Sequence, residues 1–227
     1  MKRRLLLLLL LALPAYAGDP FIERLGDSAI ELKQGEYAKA LKIDDGVIDD
    51  MFDRLGPGDA ETKWFAIALG HKALALAGLG RNDDAIWFWQ MAVNIHPDLA
   101  RADMSMFGAP AGFLKQYHLP PLRPEKSLVI GEPAGTGKIH APVVINRTKP
   151  RYPEGARLFR IRGIVVVDCV IDKNGKMRDM RLKQVLPAAT MSYAAMEAMH
   201  QWTFKPATLD DRPVDAYFTL TVNFKLE

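Results

Sequence analysis

The chain has 227 residues, 49% of them hydrophobic and 25% charged, with 30 lysines and arginines against 27 aspartates and glutamates, and one cysteine. These proportions exclude wholesale disorder, a collagen-like repeat and a polytopic membrane protein. The formal charge of +3 invites a nucleic-acid partner only until the basic residues are located.

Three of them open the chain, as Lys2, Arg3 and Arg4, followed by the apolar run Leu5 to Leu13 and then Ala15-Tyr16-Ala17. A basic start, a short apolar stretch and a small-residue box predict a secretory signal peptide over residues 1–17, cleaved after Ala17. The run is far short of the roughly 20 residues a membrane span requires, so no stable span and a periplasmic location are expected. An uncleaved inner-membrane anchor facing the periplasm is the alternative. Beyond the signal, 27 basic groups balance 27 acidic ones, and the case for nucleic acid disappears. The balance is uneven along the chain: 10 basic and 16 acidic residues from Gly18 to His118, then 17 and 11 from Leu119 to Glu227. Opposite local charge suggests two modules. The lone Cys169 can form no internal disulfide.

Residues 18–107 read as helices. Phe21, Leu25, Ala29 and Leu32 recur at helical spacing, as do Phe65, Leu69, Ala73, Leu76 and Leu79, giving each segment an apolar stripe to bury. Gly35-Glu36-Tyr37 and Gly80-Arg81-Asn82 end two helical stretches alike, 45 residues apart. Between Trp64 and Pro97, the order Leu69, Ala73, Leu76, a Gly78–Arg81 turn, Ala85, Trp89 and Ala92 resembles the second half of a tetratricopeptide repeat. Small residues at Ala73, Ala85 and Ala92 allow close helix approach, and Trp64, Trp87 and Trp89 read as packing. The acidic run Asp44, Asp45, Asp49, Asp50 and Asp53 lacks the spacing of a calcium loop and reads as a solvated helix face.

Eight of the fifteen prolines fall between Gly108 and Pro153, which predicts a semi-rigid linker over residues 108–139, with short strands expected at Ser127–Ile130 and Pro142–Asn146. Its Gly135-Thr136-Gly137-Lys138 lacks the first glycine and the Ser/Thr of a phosphate loop. Residues 140–227 then turn to strands. Arg160 to Asp172 is β-branched, Asp172-Lys173-Asn174-Gly175 is a hairpin turn, and the chain returns over Lys176–Val185. A helix over Ala188–Trp202 presents Met191, Ala195, Ala198 and Trp202, and the final strand alternates Ala216, Phe218, Leu220, Val222 and Phe224 with Tyr217, Thr219, Thr221 and Asn223. The first strand buries Val165, Val167, Cys169 and Ile171, so Cys169 reads as a small core residue.

Lys149-Pro150-Arg151-Tyr152-Pro153, Ala156, the alternating strand from Gly163, the turn at Gly175 and Trp202-x-Phe204-x-Pro206-Ala207 together resemble the C-terminal domain of TonB-family energy transducers. The expected fold is α+β: tetratricopeptide-like α-hairpins, a Pro-rich linker, and a three-stranded antiparallel sheet with one packed helix. The resemblance implies a partner-binding protein associated with transport, which engages a segment of an outer-membrane receptor or another envelope protein by strand addition. Lys149, Arg151, Tyr152, Tyr217, Thr219, Thr221 and Asn223 are the implied binding positions, and Pro153, Gly163, Trp202, Phe204 and Pro206 the structural motif. Lys149 and Arg151 stand where the family often has a polar amide, which suits an acidic partner. The alternative is a soluble scaffold acting through its helical repeats, and homodimerisation through the edge strand stays open. His71, His96, His118, His140 and His200 are scattered and read as surface or helix-end residues. With no catalytic or metal-ligand spacing, neither an enzyme nor a cofactor is expected.

Overall fold

A computed structural model describes residues 20–54, 59–118, 137–183 and 188–226. The expected signal peptide and the candidate strand at Ser127–Ile130 lie outside them. The chain divides into two compact units, Met1–His118 and Leu119–Glu227.

The first unit is helical: α1 (Pro20–Gln34), α2 (Tyr37–Arg54), α3 (Asp59–Gly78) and α4 (Asn82–Ile95), then two 3-10 turns at Pro97–Arg101 and Ser105–Phe107, and α5 (Gly108–Leu114). Successive helices pack on one another, and α5 returns onto α3. Both hairpins close with the same hydrogen bonding. Gly35 and Gly80 adopt φ of 80° and 75°. The amides that follow, Glu36 and Arg81, donate back to Glu31 O and Leu76 O, each at 2.9 Å. This is the glycine-terminated 6→1 cap that satisfies orphan helix carbonyls. At the second hairpin the Tyr37 ring lies 2.4 Å from where a Cβ on Gly78 would stand, so only glycine admits it. The small residues Ala73, Ala85 and Ala92 are fully buried, and Trp64, Trp87 and Trp89 are buried with them.

Two expectations are corrected in this unit. The linker does not begin at residue 108: Gly108–Leu114 is helix, with Ala111 and Leu114 buried. Pro110 permits it because it stands in the first turn, where a missing N–H breaks no intrahelical bond. The acidic run on α2 is also not uniformly solvated. Asp45 pairs with Lys72 at 2.7 Å and Asp50 with Arg24 at 2.5 Å, but Asp44 is completely buried, with His71 Nδ1 3.9 Å away. His71 is therefore a core residue rather than a surface one.

Burial holds the Asp44 carboxyl well above the usual carboxylate range, a shift that Ser28 only partly offsets. Burial also pushes the His71 imidazole down to about 4. The unfolded chain accepts a proton on this histidine below about pH 6.5, while the folded chain refuses it until about pH 4. The His71 contribution to the stability of the helical unit is thus expected to fall by about 2–3 kcal/mol between pH 7 and pH 4.5. Asp44 acts in the opposite sense, because its folded form gains a proton before the unfolded one. Chemical denaturation followed by tryptophan emission checks this: His71→Gln should flatten the acid slope, and unchanged slopes would remove His71 as its source.

The second unit contains β1 (Ile139–His140), β2 (Val143–Asn146), α6 (Glu154–Leu158), β3 (Gly163–Ile171), β4 (Met177–Leu182), α7 (Ala189–His200), β5 (Thr203–Lys205), β6 (Ala207–Leu209), β7 (Arg212–Val214) and β8 (Ala216–Phe224). Its main sheet is antiparallel, ordered β4-β3-β8, and α7 packs against β3. Val165, Val167, Cys169 and Ile171 lie opposite Val222, Leu220, Phe218 and Ala216, and all four β3 residues are buried. The expected sheet and packed helix are present. Two smaller pairings accompany them, β2 with β5 and β1-β6-β7. The turn joining β6 to β7 places Asp210 and Asp211 at φ of 48° and 65°, the doubly left-handed geometry of a two-residue hairpin.

Candidate functional site

A sheet ordered β4-β3-β8 has two edges. The β4 edge is short, with a register irregularity opposite Asp168 to Val170, left-handed backbone at Asp179 (φ 53°), and charges at Arg178 and Arg181. Bulges and charges are how sheets protect an edge from further pairing. By contrast, β8 runs for nine residues in unbroken register with β3 and pairs with no other strand among the described residues. Among the described residues β8 is therefore the long, regular edge of this sheet.

Along β8 the side chains away from the helix differ in availability. Thr221 and Asn223 are exposed, and Tyr217 is half-buried. Thr219 is engaged internally: its hydroxyl donates to Asp168 Oδ1 at 2.6 Å, and Lys183 Nζ stands 3.5 Å from the other oxygen of that carboxylate. Asp168 is buried, so this polar cluster covers the second face of the sheet. The sequence did not reveal it, although an aspartate amid β-branched residues was the available signal.

The Tyr-Pro stretch is held by the rest of the motif. Trp202 Nε1 donates to Thr148 O at 2.8 Å, and the Arg147 guanidinium lies 4.5 Å from the Trp202 ring centroid, a distance at which the cation meets the negative face of the ring. Tyr152 stacks edge-to-face on Phe224, with centroids 5.4 Å apart, and its hydroxyl donates to Ile161 O. Tyr152, expected at the partner surface, therefore uses its hydroxyl inside the domain. Lys149 and Arg151 are exposed in the irregular segment beside it. Pro153 precedes α6 as its N-cap, and Gly163 opens β3 opposite Phe224.

Phe204 and Pro206 have a role that sequence reading missed. Gly175 has φ of +77°, and a Cβ there would stand 2.2 Å from Phe204 O and 3.9 Å from the Pro206 ring. The segment after α7 thus closes over the β3–β4 turn. Asp172 organises that turn, its Oδ1 accepting from the amides of Asn174 at 2.8 Å and Lys176 at 2.9 Å. Asp215, just before β8, accepts from the Lys173 amide at 2.9 Å and from Arg178 at 2.6 Å. Partial burial raises the Asp215 carboxyl, but these bonds outweigh it and hold the group below the usual carboxylate range. Cys169 packs in the core with Sγ 3.4 Å from Phe218 O, and burial, with Asp168 beside it, pushes the thiol up to about 12. A thiolate is inaccessible at neutral pH, so a redox role is not supported. The resemblance of residues 135–138 to a phosphate loop also fails: the Lys138 amide donates to the Asp210 carboxylate at 2.8 Å, which would repel a phosphate.

Among the described residues no group of three or more His, Cys, Asp or Glu could hold a metal ion, and no helix is long and apolar enough to cross a membrane. Residues 148–226 match the family described as Gram-negative bacterial TonB protein C-terminal. The chain is 33% identical over 85 residues to Protein TonB of Vibrio cholerae serotype O1, covering 37% of this chain and 35% of that one. It is 27% identical over 103 residues to Protein TonB of Yersinia enterocolitica, covering 45% and 38%. The solution NMR structure of the Pseudomonas aeruginosa TonB CTD aligns at 25% identity and a TM-score of 0.33, covering 38% of this chain and 87% of that one. Residues 148–226 are thus similar to the TonB C-terminal family. The match spans little more than a third of the length of the first two relatives.

Proposed function

We propose that this chain is an exported, periplasmic TonB-like protein that captures an extended segment of an outer-membrane receptor, or of another envelope protein, by β-strand addition along β8. The observation that carries the reading is the long, regular, singly paired β8 edge in a domain similar to the TonB C-terminal family. Strand addition draws its affinity from backbone hydrogen bonds, while side chains tune preference. Thr221 and Asn223 flank the incoming strand, and Lys149 and Arg151 favour acidic residues in it. The helical unit, with its two like-capped hairpins, serves as a tetratricopeptide-like dock for a second protein, and residues 119–139 join the two parts. Where that dock holds an anchored, energised partner, the chain contributes to transport. The second reading is a soluble periplasmic scaffold that works through the hairpins alone.

The test titrates the full chain with an extended acidic hexapeptide of alternating β-branched residues, followed by amide chemical shifts. The shifts should concentrate on β8, and N-methylation of alternate peptide amides should weaken binding by about tenfold or more, since each loses a backbone donor. The absence of shifts on β8 at millimolar peptide would overturn strand addition and leave the scaffold reading.

A further inference from the structure

A partly open cavity of about 150 Å³ lies in the helical unit, between α1, α3, α4 and the residues 96–107 that follow α4. Its walls are aromatic and aliphatic, with Trp64, Trp89, Leu74, Met104 and Phe107 prominent among them. Two glycines border it from facing helices, Gly26 on α1 and Gly70 on α3. Glycine weakens a helix interior, and such positions usually answer to a turn or a close approach. Neither reason applies here. A Cβ on Gly26 would meet nothing within 4 Å, and one on Gly70 would meet only the Trp89 ring at 3.9 Å, an ordinary contact. The two glycines weaken their helices and leave space.

The cavity also has a polar lining. His71 is 6% exposed and lines it, ring edge toward Phe107 with centroids 6.0 Å apart. His96 lines it as well, and its Nδ1 is buried without a hydrogen-bond partner, while the Nδ1 of His71 stands 3.9 Å from the Asp44 carboxyl outside the lining. Burial keeps the His71 imidazole uncharged at neutral pH, with its proton lost above about 4. A neutral imidazole accepts one hydrogen bond and donates another. An apolar cavity of this volume holds one aromatic ring.

We infer that this cavity is a binding site for a free small molecule with a single uncharged aromatic ring bearing a hydroxyl or ring N–H. Trp64 and Trp89 enclose the ring, and His71 meets its polar group. The site lies wholly within the helical unit and is independent of partner binding at β8.

The probes are p-cresol and toluene, titrated into the full-length protein and followed by tryptophan emission and by amide shifts of residues lining the cavity. Saturable binding of p-cresol in the millimolar range or tighter is expected, at least fivefold stronger than toluene. Gly26→Leu, whose side chain enters open space from a half-exposed helix position, should weaken both ligands tenfold or more while raising the melting temperature. His71→Phe should abolish the preference for p-cresol and leave toluene bound. Non-saturating titrations, or p-cresol affinity unchanged by Gly26→Leu in a folded protein, would overturn the site. Competition by an Ala-Ala-Tyr-Ala-Ala peptide against p-cresol would overturn the small-molecule occupant in favour of a partner's aromatic side chain, and p-cresol binding without such competition supports it.

Discussion

Val167→Asp is expected to unfold the C-terminal domain at neutral pH. Val167 is fully buried at the centre of the main sheet, opposite Leu220 on β8 and Leu182 on β4. A carboxylate at that point loses its water and finds no cation in exchange. The effective penalty for such an unpaired ion is several kcal/mol, comparable with the total stability of about 5–15 kcal/mol typical of a domain. The sign of the pH dependence follows from the same term. A buried carboxyl has a raised pKa, so the variant should recover part of its stability as the group protonates on acidification. Thr221→Asp, exposed on the other face of β8, should cost about 1 kcal/mol or less. Equilibrium denaturation with near-ultraviolet circular dichroism distinguishes the two. A cooperatively folded Val167→Asp variant at pH 7 would contradict the β3–β8 register.

Gly175→Ala carries the second largest effect and probes the join between the Asn-Gly turn and the segment after α7. Two costs fall on one methyl group. The residue must hold φ of +77°, which costs a residue with a Cβ about 1–2 kcal/mol. Its Cβ must also displace Phe204 O from 2.2 Å, and that atom belongs to backbone that cannot swing aside as a side chain would. Together they should destabilise the domain by about 2–4 kcal/mol. Gly80→Ala separates the two terms, since Gly80 has φ of +75° but open space around its Cβ. It should cost only the conformational part, about 1–2 kcal/mol, in the helical unit. Equal losses at the two positions would mean that the contact with Phe204 contributes nothing. A loss at Gly175 of only the size seen at Gly80 would free the Trp-Phe-Pro segment from its role over the turn and leave Trp202, bonded to Thr148 O, as the main tie on the Tyr-Pro stretch.

These expectations rest on features that differ in how visible they were before the fold was known. The alternation of β3 and β8, the Asp-Lys-Asn-Gly turn, the helix from Ala189 and the glycine caps at Gly35 and Gly80 are written in the local order of residues. Each follows from a period of two or of 3.6, or from a backbone angle that glycine alone adopts at ease. The Tyr-Pro and Trp-Phe-Pro motifs were visible as a family resemblance, yet their contacts were not. That Tyr152 turns its hydroxyl to Ile161 O, and that Phe204 O caps the space over Gly175, depends on residues brought together from distant parts of the chain.

The same distinction explains the corrections. Asp44 stands in a run of five aspartates, and the run reads as solvated because most acidic helix faces are. Four of the five remain on or near the surface of α2, but the fifth turns toward Ser28 and His71, because α1 and α3 cover that side of the helix. No local pattern states which neighbour will cover a given face. For Gly26 and Gly70 the sequence shows two helix-weakening residues, and only their positions on facing helices make them the walls of one cavity.

Local order therefore determined the elements, their caps and turns, the buried face of each strand and the resemblance of residues 148–226 to the TonB C-terminal family. Those properties depend on torsion angles and on the spacing of apolar side chains within a few residues. Tertiary structure alone decided that β8 is the open edge and β4 the protected one, that Asp44 and His71 share a core, and that Trp64 and Trp89 come together to wall one ring-sized cavity. Edges, burial and voids are properties of what packs against what, and the free energy that selects them is summed over contacts between residues far apart in the chain.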